Sequence, residues 1–169
     1  MSTSAQAQSG NGTPIESPMF YASKPGYKIQ VVLHLNGERD AKGTHMTVSL
    51  NLFKGEYDDI LTWPFNIPVA FCLLNQSRTD LHIVDQFFPD PESNSFKRPI
   101  SEKNDRSDKL KLCPLTILTA GENCYIKNDT MFIKIVSTFF KSTHIFESVI
   151  LLSNTKSIPL SCADPAKQS

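Results

Sequence analysis

The 169-residue sequence predicts an all-β protein folded as an antiparallel β-sandwich. Two runs, 27–35 and 45–53, alternate apolar and polar residues, and this two-residue period is typical of half-buried strands. Turn-forming residues separate these runs from several further short apolar runs. No helical period persists over three turns anywhere in the sequence. Many short strands divided by turns are typical of a sandwich.

The two alternating runs are expected to pair as an antiparallel hairpin with one core face and one solvated face. Asn36-Gly37 directly follows the first run and favours a turn, because both residues tolerate positive φ. The predicted core face consists of Tyr27, Ile29, Val31, Leu33 and Leu35, together with Met46, Val48, Leu50 and Leu52. The predicted solvated face consists of Lys28, Gln30, Val32 and His34, together with Thr47, Ser49 and Asn51.

The middle of the chain predicts three further elements. Trp63 precedes Pro64 and is expected to plug one end of the core. Residues 69–74 are apolar at both even and odd positions, which favours a central strand covered on both sides. Residues 81–87 predict a shorter strand.

The last third of the chain is less regular. Residues 112–118 predict a modest strand, and Pro114 places it at a sheet edge because proline cannot donate to the ladder. Residues 125–138 predict the last clear strand, and 145–152 predict either one more strand or a short helix.

These elements predict one domain with two irregular flanks. The sandwich is expected to span 17–138. Residues 1–16 are small and polar, so burial cannot offset their ordering entropy and they are expected to be disordered. Residues 139–169 are expected to form an irregular, loose tail.

Composition excludes several classes of partner. Lys+Arg and Asp+Glu both number 17, so nothing indicates nucleic acid or an anionic membrane as the main partner. The basic residues at Lys103, Arg106, Lys109 and Lys111 alternate with acids and predict a solvated loop. The N-terminus has no secretory signal pattern and no run is long enough to span a bilayer, so a cytoplasmic location is expected. The four cysteines are then expected to be reduced.

No pattern in the sequence indicates catalysis, a metal or a cofactor. The four histidines are scattered, no cysteine pair has zinc-ligand spacing, and no nucleotide-binding or hydrolase motif occurs. Cys72 is expected to be a small core residue, whereas Cys113, beside Pro114, is expected to be more exposed. We therefore expect a binding module, not an enzyme.

A series of short motifs gives a specific resemblance. In order along the chain they are Phe20-Tyr-Ala-Ser-Lys-Pro-Gly-Tyr-Lys, Leu35-Asn-Gly, Gly43-Thr-His, Gly55-Glu-Tyr-Asp, Trp63-Pro-Phe, Phe87-Phe-Pro-Asp-Pro, Ser95-Phe-Lys-Arg-Pro, Cys113-Pro and Tyr125-Ile-Lys-Asn-Asp-Thr-Met-Phe-Ile-Lys. Together they resemble the C-terminal TRAF (MATH) domain of the tumour-necrosis-factor-receptor-associated factors. The resemblance covers about 17–138 and implies the same antiparallel sandwich.

The sequence departs from this family in two ways. The family domain opens with a further strand, which the polar residues 1–15 replace, so the sandwich is expected to lack its first strand unless the C-terminal tail substitutes for it. Loss of that strand is expected to expose apolar surface and an unpaired edge. The family's RING finger, zinc fingers and trimerising coiled coil have no counterpart in this sequence, so a trimer is expected only if a coiled coil lies outside it.

The resemblance implies a peptide-binding site. Family members bind short tails of tumour-necrosis-factor-type receptors, or adaptor proteins, as an added strand at a sheet edge. The positions that match that site are Val32, His34, Glu38, Ser49, Phe87, Pro89, Ser93, Asn94, Ser95 and Leu112. Val32 replaces a basic residue, Ser49 an aromatic residue and Leu112 a glycine of the family pattern, and Leu112 is expected to block close approach to the edge. From the residues alone, Ser93 to Ser95 are also compatible with a simple turn cap.

The resemblance predicts an intracellular adaptor domain in receptor signalling. Two alternatives remain open: a MATH substrate-recognition domain that presents motifs to a ubiquitin ligase, and a truncated fragment that does not bind.

Overall fold

The fold comes from a computed structural model that describes residues 3–8, 13–77, 81–107, 110–118, 125–128, 130–138 and 145–153. The strands are β1 (Thr3–Gln8), β2 (Ile15–Glu16), β3 (Phe20–Tyr21), β4 (Lys28–His34), β5 (His45–Phe53), β6 (Val69–Leu73), β7 (Ile83–Phe87), β8 (Leu110–Pro114), β9 (Ile126–Lys127), β10 (Thr130–Thr138) and β11 (Ile145–Ser153). One helical turn, α1 (Leu115–Leu118), follows β8, where the sequence predicted a continuing strand.

The strands form two sheets, which confirms the predicted sandwich. One sheet has the order β1-β11-β10-β6-β7, with β9 added on β10, and the other has the order β2-β4-β5-β8, with β3 added on β4. Every pairing between these strands is antiparallel except that of β1 with β11. Strand β6 lies between two neighbours, and β8 lies at an edge, as the sequence predicted. The prediction that β6 is covered on both sides is wrong, because only alternate residues of β6 are buried.

The predicted hairpin is β4 paired with β5 in continuous register from Lys28↔Phe53 to His34↔Thr47. The residues predicted for its core face are all buried, with at most 6 % of each exposed. Gly37 makes the turn possible, because its φ is +66° and a Cβ there would lie 2.3 Å from the Ala41 carbonyl oxygen. The two-residue period therefore correctly predicted which side of this sheet faces the core.

An aromatic cluster closes one end of the core, as predicted for Trp63. The Trp63 ring packs edge-on against Tyr27 at 5.1 Å between centroids, and its Nε1 donates to the Asp58 carbonyl oxygen at 2.9 Å. Phe65 packs edge-on against the same Tyr27 ring at 4.8 Å. Burial, and then the charge of Asp58, raise the pKa of Tyr27.

The two flanks differ from their prediction. Residues 1–16 were expected to be disordered, but the described part contains β1 and β2, and the expected irregular tail contains β11. Strand β11 pairs with β10 from Thr130↔Ser153 to Thr138↔Ile145, and β1 then pairs with β11. The strand alternative for 145–152 is therefore confirmed, and this C-terminal strand covers one edge of β10. Backbone pairing outweighs the polar composition of β1, which local sequence alone does not reveal.

This arrangement predicts that the C-terminal strand is required for stability. A chain ending at Thr138 should lose the backbone pairing along β10, so it should melt over a broad range and aggregate through the open edge. A chain ending at Ser153 is the matched control and should melt cooperatively, which circular dichroism during heating can measure. An equal melting midpoint and width for the two chains would show that β11 adds nothing.

Candidate functional site

The outer face of the β2-β4-β5-β8 sheet contains three of the predicted site residues. Val32 of β4 pairs with Ser49 of β5 and, on its other side, with Glu16 of β2. Val32 is 0 % and Ser49 3 % exposed, so the prediction that they face solvent is wrong. His34, two residues further on, has a side chain that is only 11 % exposed.

The cause of this burial is the segment 103–107, which continues the edge pairing of β5. The backbone nitrogen of Ser107 donates to the Leu50 carbonyl oxygen at 3.0 Å, and the backbone nitrogen of Leu50 donates to the Ser107 hydroxyl at 2.9 Å. The backbone nitrogen of Asn104 donates to the Leu52 carbonyl oxygen at 3.0 Å. The sequence predicted a solvated loop here, but these bonds place Arg106 directly beside β5.

Arg106 crosses the outer face of the sheet. Its Nη1 lies 3.0 Å from His34 Nε2 and 3.7 Å from Glu38 Oε2, and its Nη2 lies 3.9 Å from Glu16 Oε1. To reach β4 the side chain spans two strand spacings, roughly 10 Å. The register places the Val32–Ser49 pair in its path, so Arg106 covers the centre of the predicted peptide site.

His34 Nε2 lies between two groups of opposite character. It is 2.9 Å from Glu38 Oε2 and 3.0 Å from Arg106 Nη1. A histidine nitrogen accepts from a guanidinium only when it carries no proton and donates to a carboxylate only when it does. The arrangement therefore has two alternative hydrogen-bonding states, with Glu38 and Arg106 competing for one nitrogen.

The cover formed by Arg106 is weakly held. Its side chain is 32 % exposed and its carboxylate partners Glu38 and Glu16 are 33 % and 46 % exposed, so each ion pair contributes about 0–1 kcal/mol. Beneath and beside the cover, the side-chain oxygens of Thr47, Ser49 and Asn51 are buried without a hydrogen-bond partner among the described residues. A buried polar group without a partner costs about 1–3 kcal/mol.

A polar cleft of about 680 Å³ lies next to this cover. Its walls come from the turn after β4, the segment 103–107 and β8. The lining residues are Glu38, Arg39, Asp40, Ala41, Thr47, Asn51, Lys103, Asn104, Asp105, Arg106, Ser107 and Lys111. At one side Lys111 Nζ pairs with Asp40 Oδ2 at 2.7 Å, and this pairing lowers the pKa of Asp40.

The loop after β7 holds the second group of predicted site residues. Ser93 Oγ accepts from the Ser95 nitrogen at 3.3 Å and so caps a single 3₁₀ turn, Asn94–Phe96. Asn94 Oδ1 accepts from Lys97 at 2.8 Å. Ser95 Oγ donates to the Arg106 carbonyl oxygen at 3.3 Å, which joins this loop to the Arg106 segment. Ser93 therefore caps a turn, which is the alternative that the residues alone left open.

Phe87 and Pro89 lie on the other side of the same loop. Phe87 is half-buried and packs against the Phe96 ring at 5.6 Å between centroids, and Pro89 is buried. Phe88, between them, is 66 % exposed. The structure thus brings Phe87 and the 93–95 turn together through Phe96, and connects them to His34 and Glu38 through Arg106.

The predicted role of Leu112 requires a position at the surface, and Leu112 does not have one. Cys113 pairs with Met46 and Lys111 with Thr47, so Leu112 occupies an irregularity of the β5–β8 ladder without a partner of its own. Its side chain is 3 % exposed and belongs to the core cluster. The expectation that Leu112 blocks the edge is wrong, because the irregularity turns this side chain inward.

Cys72 was predicted to lie in the core and Cys113 to be more exposed, and the structure shows the reverse. Cys113 is 0 % exposed, and burial raises its pKa to about 11, whereas Cys72 is half-buried on the outer side of β6. Alternation along β6 buries Val69, Phe71 and Leu73 and turns Cys72 away from the core.

Sequence reasoning missed Arg106, Thr47 and Asn51 as site residues. Thr47 and Asn51 share the face of Ser49, so the two-residue period was a signal that pointed to them. Arg106 had no such signal, because only the pairing of Ser107 with Leu50 brings it onto the sheet.

Two further findings concern the part of the chain that the structure describes. There, no group of three or more His, Cys, Asp or Glu side chains is arranged to hold a metal ion. The described helix is too short to cross a membrane.

The sandwich and its site define a protein-interaction domain of the MATH class, and comparison with known families agrees. The family model for the TRAF/meprin MATH domain matches residues 12–134, so the chain belongs to the TRAF/meprin MATH domain family.

Several relatives are TNF receptor-associated factors. The chain is 42 % identical over 127 residues to "TNF receptor-associated factor 1" of Mus musculus, a match that covers 75 % of this chain and 31 % of the relative. It is 38 % identical over 131 residues to "TNF receptor-associated factor 2" of Homo sapiens, a match that covers 78 % of this chain and 26 % of the relative. The chain therefore spans less than a third of the length of these relatives.

A solved structure shares the fold. The structure "Notothenia coriiceps TRAF5" superposes with a TM-score of 0.70 at 31 % sequence identity, covering 78 % of this chain and 65 % of that one.

We predict that Arg106→Ala weakens the cover without unfolding the domain. Its two ion pairs are partly exposed, so the free energy of unfolding should fall by no more than about 2 kcal/mol, and less at high salt. Urea titration at two salt concentrations measures this, with Lys42→Ala on the neighbouring turn as the control. A salt-independent loss of several kcal/mol would show that Arg106 holds the fold, not a weak cover.

We also predict that native alkylation modifies Cys72 before Cys113. Thiolate is the reactive form, and with its pKa raised to about 11 Cys113 remains protonated at pH 8 as well as buried. Peptide mass spectrometry after a short iodoacetamide pulse measures the two sites, and the same pulse in urea supplies the control. Faster labelling of Cys113 in the native chain would contradict the described burial.

Proposed function

We propose that this chain is the peptide-recognition domain of a TRAF-type adaptor and binds short segments of receptor tails or adaptor proteins by strand addition. The main support is an edge strand beside the predicted site: β8 is the last strand of its sheet among the described strands. In strand addition, hydrogen bonds to the backbone groups of such an edge provide affinity, and pockets for the peptide side chains provide specificity.

The surroundings of β8 support this use. Lys111 of β8 lines the cleft that also contains Glu38 and Arg106, and β8 lies next to β7, which ends at Phe87. An added strand at this edge would lie near the cleft, which Lys111 lines, and near the 93–95 turn, which contacts the Arg106 segment. Because Leu112 is turned into the core, it does not obstruct such a strand.

The altered residues support a ligand unlike the usual family peptide of the Pro-x-Gln-x-Thr type. Ser49 replaces an aromatic residue, Val32 a basic one, and Arg106 covers both positions. Ser93 is engaged within its own turn. These differences remove the contacts that such a peptide uses.

The relatives' printed name, TNF receptor-associated factor, supports receptor signalling as the context. As part of the same proposal, we place the domain in the cytoplasm, where receptor tails are accessible. Trimeric assembly would come from a coiled coil outside this chain.

We predict that a Pro-x-Gln-x-Thr peptide binds weakly, in the millimolar range or above, and that replacing its glutamine changes little. Isothermal titration calorimetry of the 169-residue chain measures both peptides. Tight binding that depends on the glutamine would contradict the altered-ligand part of the proposal.

A displayed library of receptor-tail and adaptor segments then tests the proposal itself. Hits should lose affinity on Phe87→Ala, whereas Val84→Ala, on the exposed side of the same strand, should be neutral. In an added strand every second backbone N–H bonds to the edge, so N-methylation along a hit should weaken binding at alternate positions. A library without hits, or hits insensitive to N-methylation, would overturn strand addition as the function.

A further inference from the structure

The loop 97–101 projects into solvent. Ile100 is 96 % exposed, and of the other four residues in this loop only Pro99 is buried. In the described part of the chain, the backbone of residues 98–101 makes no hydrogen bond, and no helix or strand includes these residues. Exposed loops without regular pairing are the segments that modifying enzymes reach in a folded domain.

The sequence of the loop places an arginine three residues before an exposed serine, as Arg98 and Ser101. Protein kinases select substrates partly by charge, and one class has carboxylates in its groove that bind an arginine at this position. The exposed hydroxyl residues within the described ranges are Thr13, Thr44, Thr62, Ser101 and Thr116. Of these five, Ser101 alone has a basic residue at this spacing.

Arg98 is available to such a groove. Its guanidinium donates to the Asp59 carboxylate, but the two side chains are 49 % and 84 % exposed. An ion pair this exposed contributes little to stability, so carboxylates of an enzyme can replace Asp59 at small cost. The neighbouring cation, Lys97, instead donates to Asn94 Oδ1 at 2.8 Å within the preceding turn.

The Ser101 hydroxyl lies where the chain joins β5. It donates to the Lys103 carbonyl oxygen at 3.0 Å. On either side of Lys103, the Glu102 carbonyl oxygen accepts from the Lys54 nitrogen at 2.9 Å, and the Asn104 nitrogen donates to the Leu52 carbonyl oxygen at 3.0 Å. A phosphate ester at Ser101 has no hydroxyl proton to donate, and its negative charge would lie beside a carbonyl oxygen and the Glu102 carboxylate.

We propose that Ser101 is a phosphorylation site for a protein kinase that selects arginine three residues before its target, and that the phosphate loosens the pairing of residues 102–104 with β5. The Ser101 hydroxyl oxygen forms a bond to the γ-phosphorus of Mg²⁺-bound ATP, and the bond from that phosphorus to the oxygen of the leaving ADP breaks. ADP keeps the electron pair, and the hydroxyl proton passes to the catalytic aspartate of the kinase. This inference goes beyond the proposed function and does not rest on it.

Phosphorylation of the 169-residue chain in vitro tests the site. Calmodulin-dependent protein kinase II, which selects arginine at this spacing, should transfer one phosphate to Ser101, as measured by peptide mass spectrometry. Casein kinase 2, which selects acidic residues, is the control and should leave Ser101 unmodified. A synthetic peptide of residues 95–105 should be a substrate with a kcat/KM within about tenfold of that of the folded chain, because the loop needs no unfolding.

Variants identify the residue that the kinase reads. Arg98→Ala should lower kcat/KM at least about tenfold, whereas Lys97→Ala, the matched removal of a neighbouring exposed cation, should change it less than about threefold. Asp59→Asn removes the partner of Arg98 without touching the loop, so kcat/KM should rise about twofold to threefold. A merely structural role of Arg98 would not produce this increase.

Hydrogen exchange measures the effect of the phosphate. In the phosphorylated chain the backbone amides of Lys54 and Asn104 should exchange about threefold to tenfold faster, since both belong to the pairing beside Ser101. Ser101→Ala loses the hydrogen bond to Lys103 without gaining charge, so it should show a smaller increase. Amides of the β6–β10 pairing, in the other sheet, are the internal control and should not change.

Each part of the inference can fail separately. Equal kcat/KM for the wild-type chain and Arg98→Ala, phosphorylation at other residues only, or phosphorylation that requires urea would overturn Ser101 as the site. Unchanged exchange at Lys54 and Asn104 after phosphorylation would overturn the loosening of the 102–104 pairing. None of these measurements uses a peptide ligand, so their failure is distinct from failure of the proposed function.

Discussion

The register between β4 and β5 is the constraint on which the rest of the structure depends. A shift of one residue would exchange the two faces of both strands. The observed pairing of Val32 with Ser49 sends Val31 and Leu50 into the core and leaves a polar row outside. In the connection between these strands, Gly37 has a φ of +66° and leaves no room for a Cβ. The core, the cleft and the position of Arg106 all follow from this pairing.

Most of the core sheet could be predicted from the sequence because its signals are local. Alternation identified the core face of β4 and β5, and Pro114 placed β8 at an edge. The flanks could not be predicted this way. The strand Thr3–Gln8 is polar and small, and it is ordered through backbone bonds to Ile145–Ser153, a partner at the far end of the chain. No local window contains that information.

The site was less predictable for a related reason. Family resemblance indicated Val32, His34 and Ser49, but their accessibility depends on a side chain that reaches them from another strand. Arg106 arrives there because Ser107 pairs with Leu50, and the irregularity at Leu112 sets the register beyond. The result is a face on which three buried side-chain oxygens have no hydrogen-bond partner among the described residues. Buried polar groups without partners lower stability, and such local costs are common at functional sites.

The pairing of β1 with β11 also has a consequence for synthesis. Thr3 is synthesised long before its strand partner Ser148. The edge of β10 likewise remains open until Ile145–Ser153 has emerged. A nascent chain therefore carries two unpaired strand edges until this segment has emerged, and such edges are prone to aggregation.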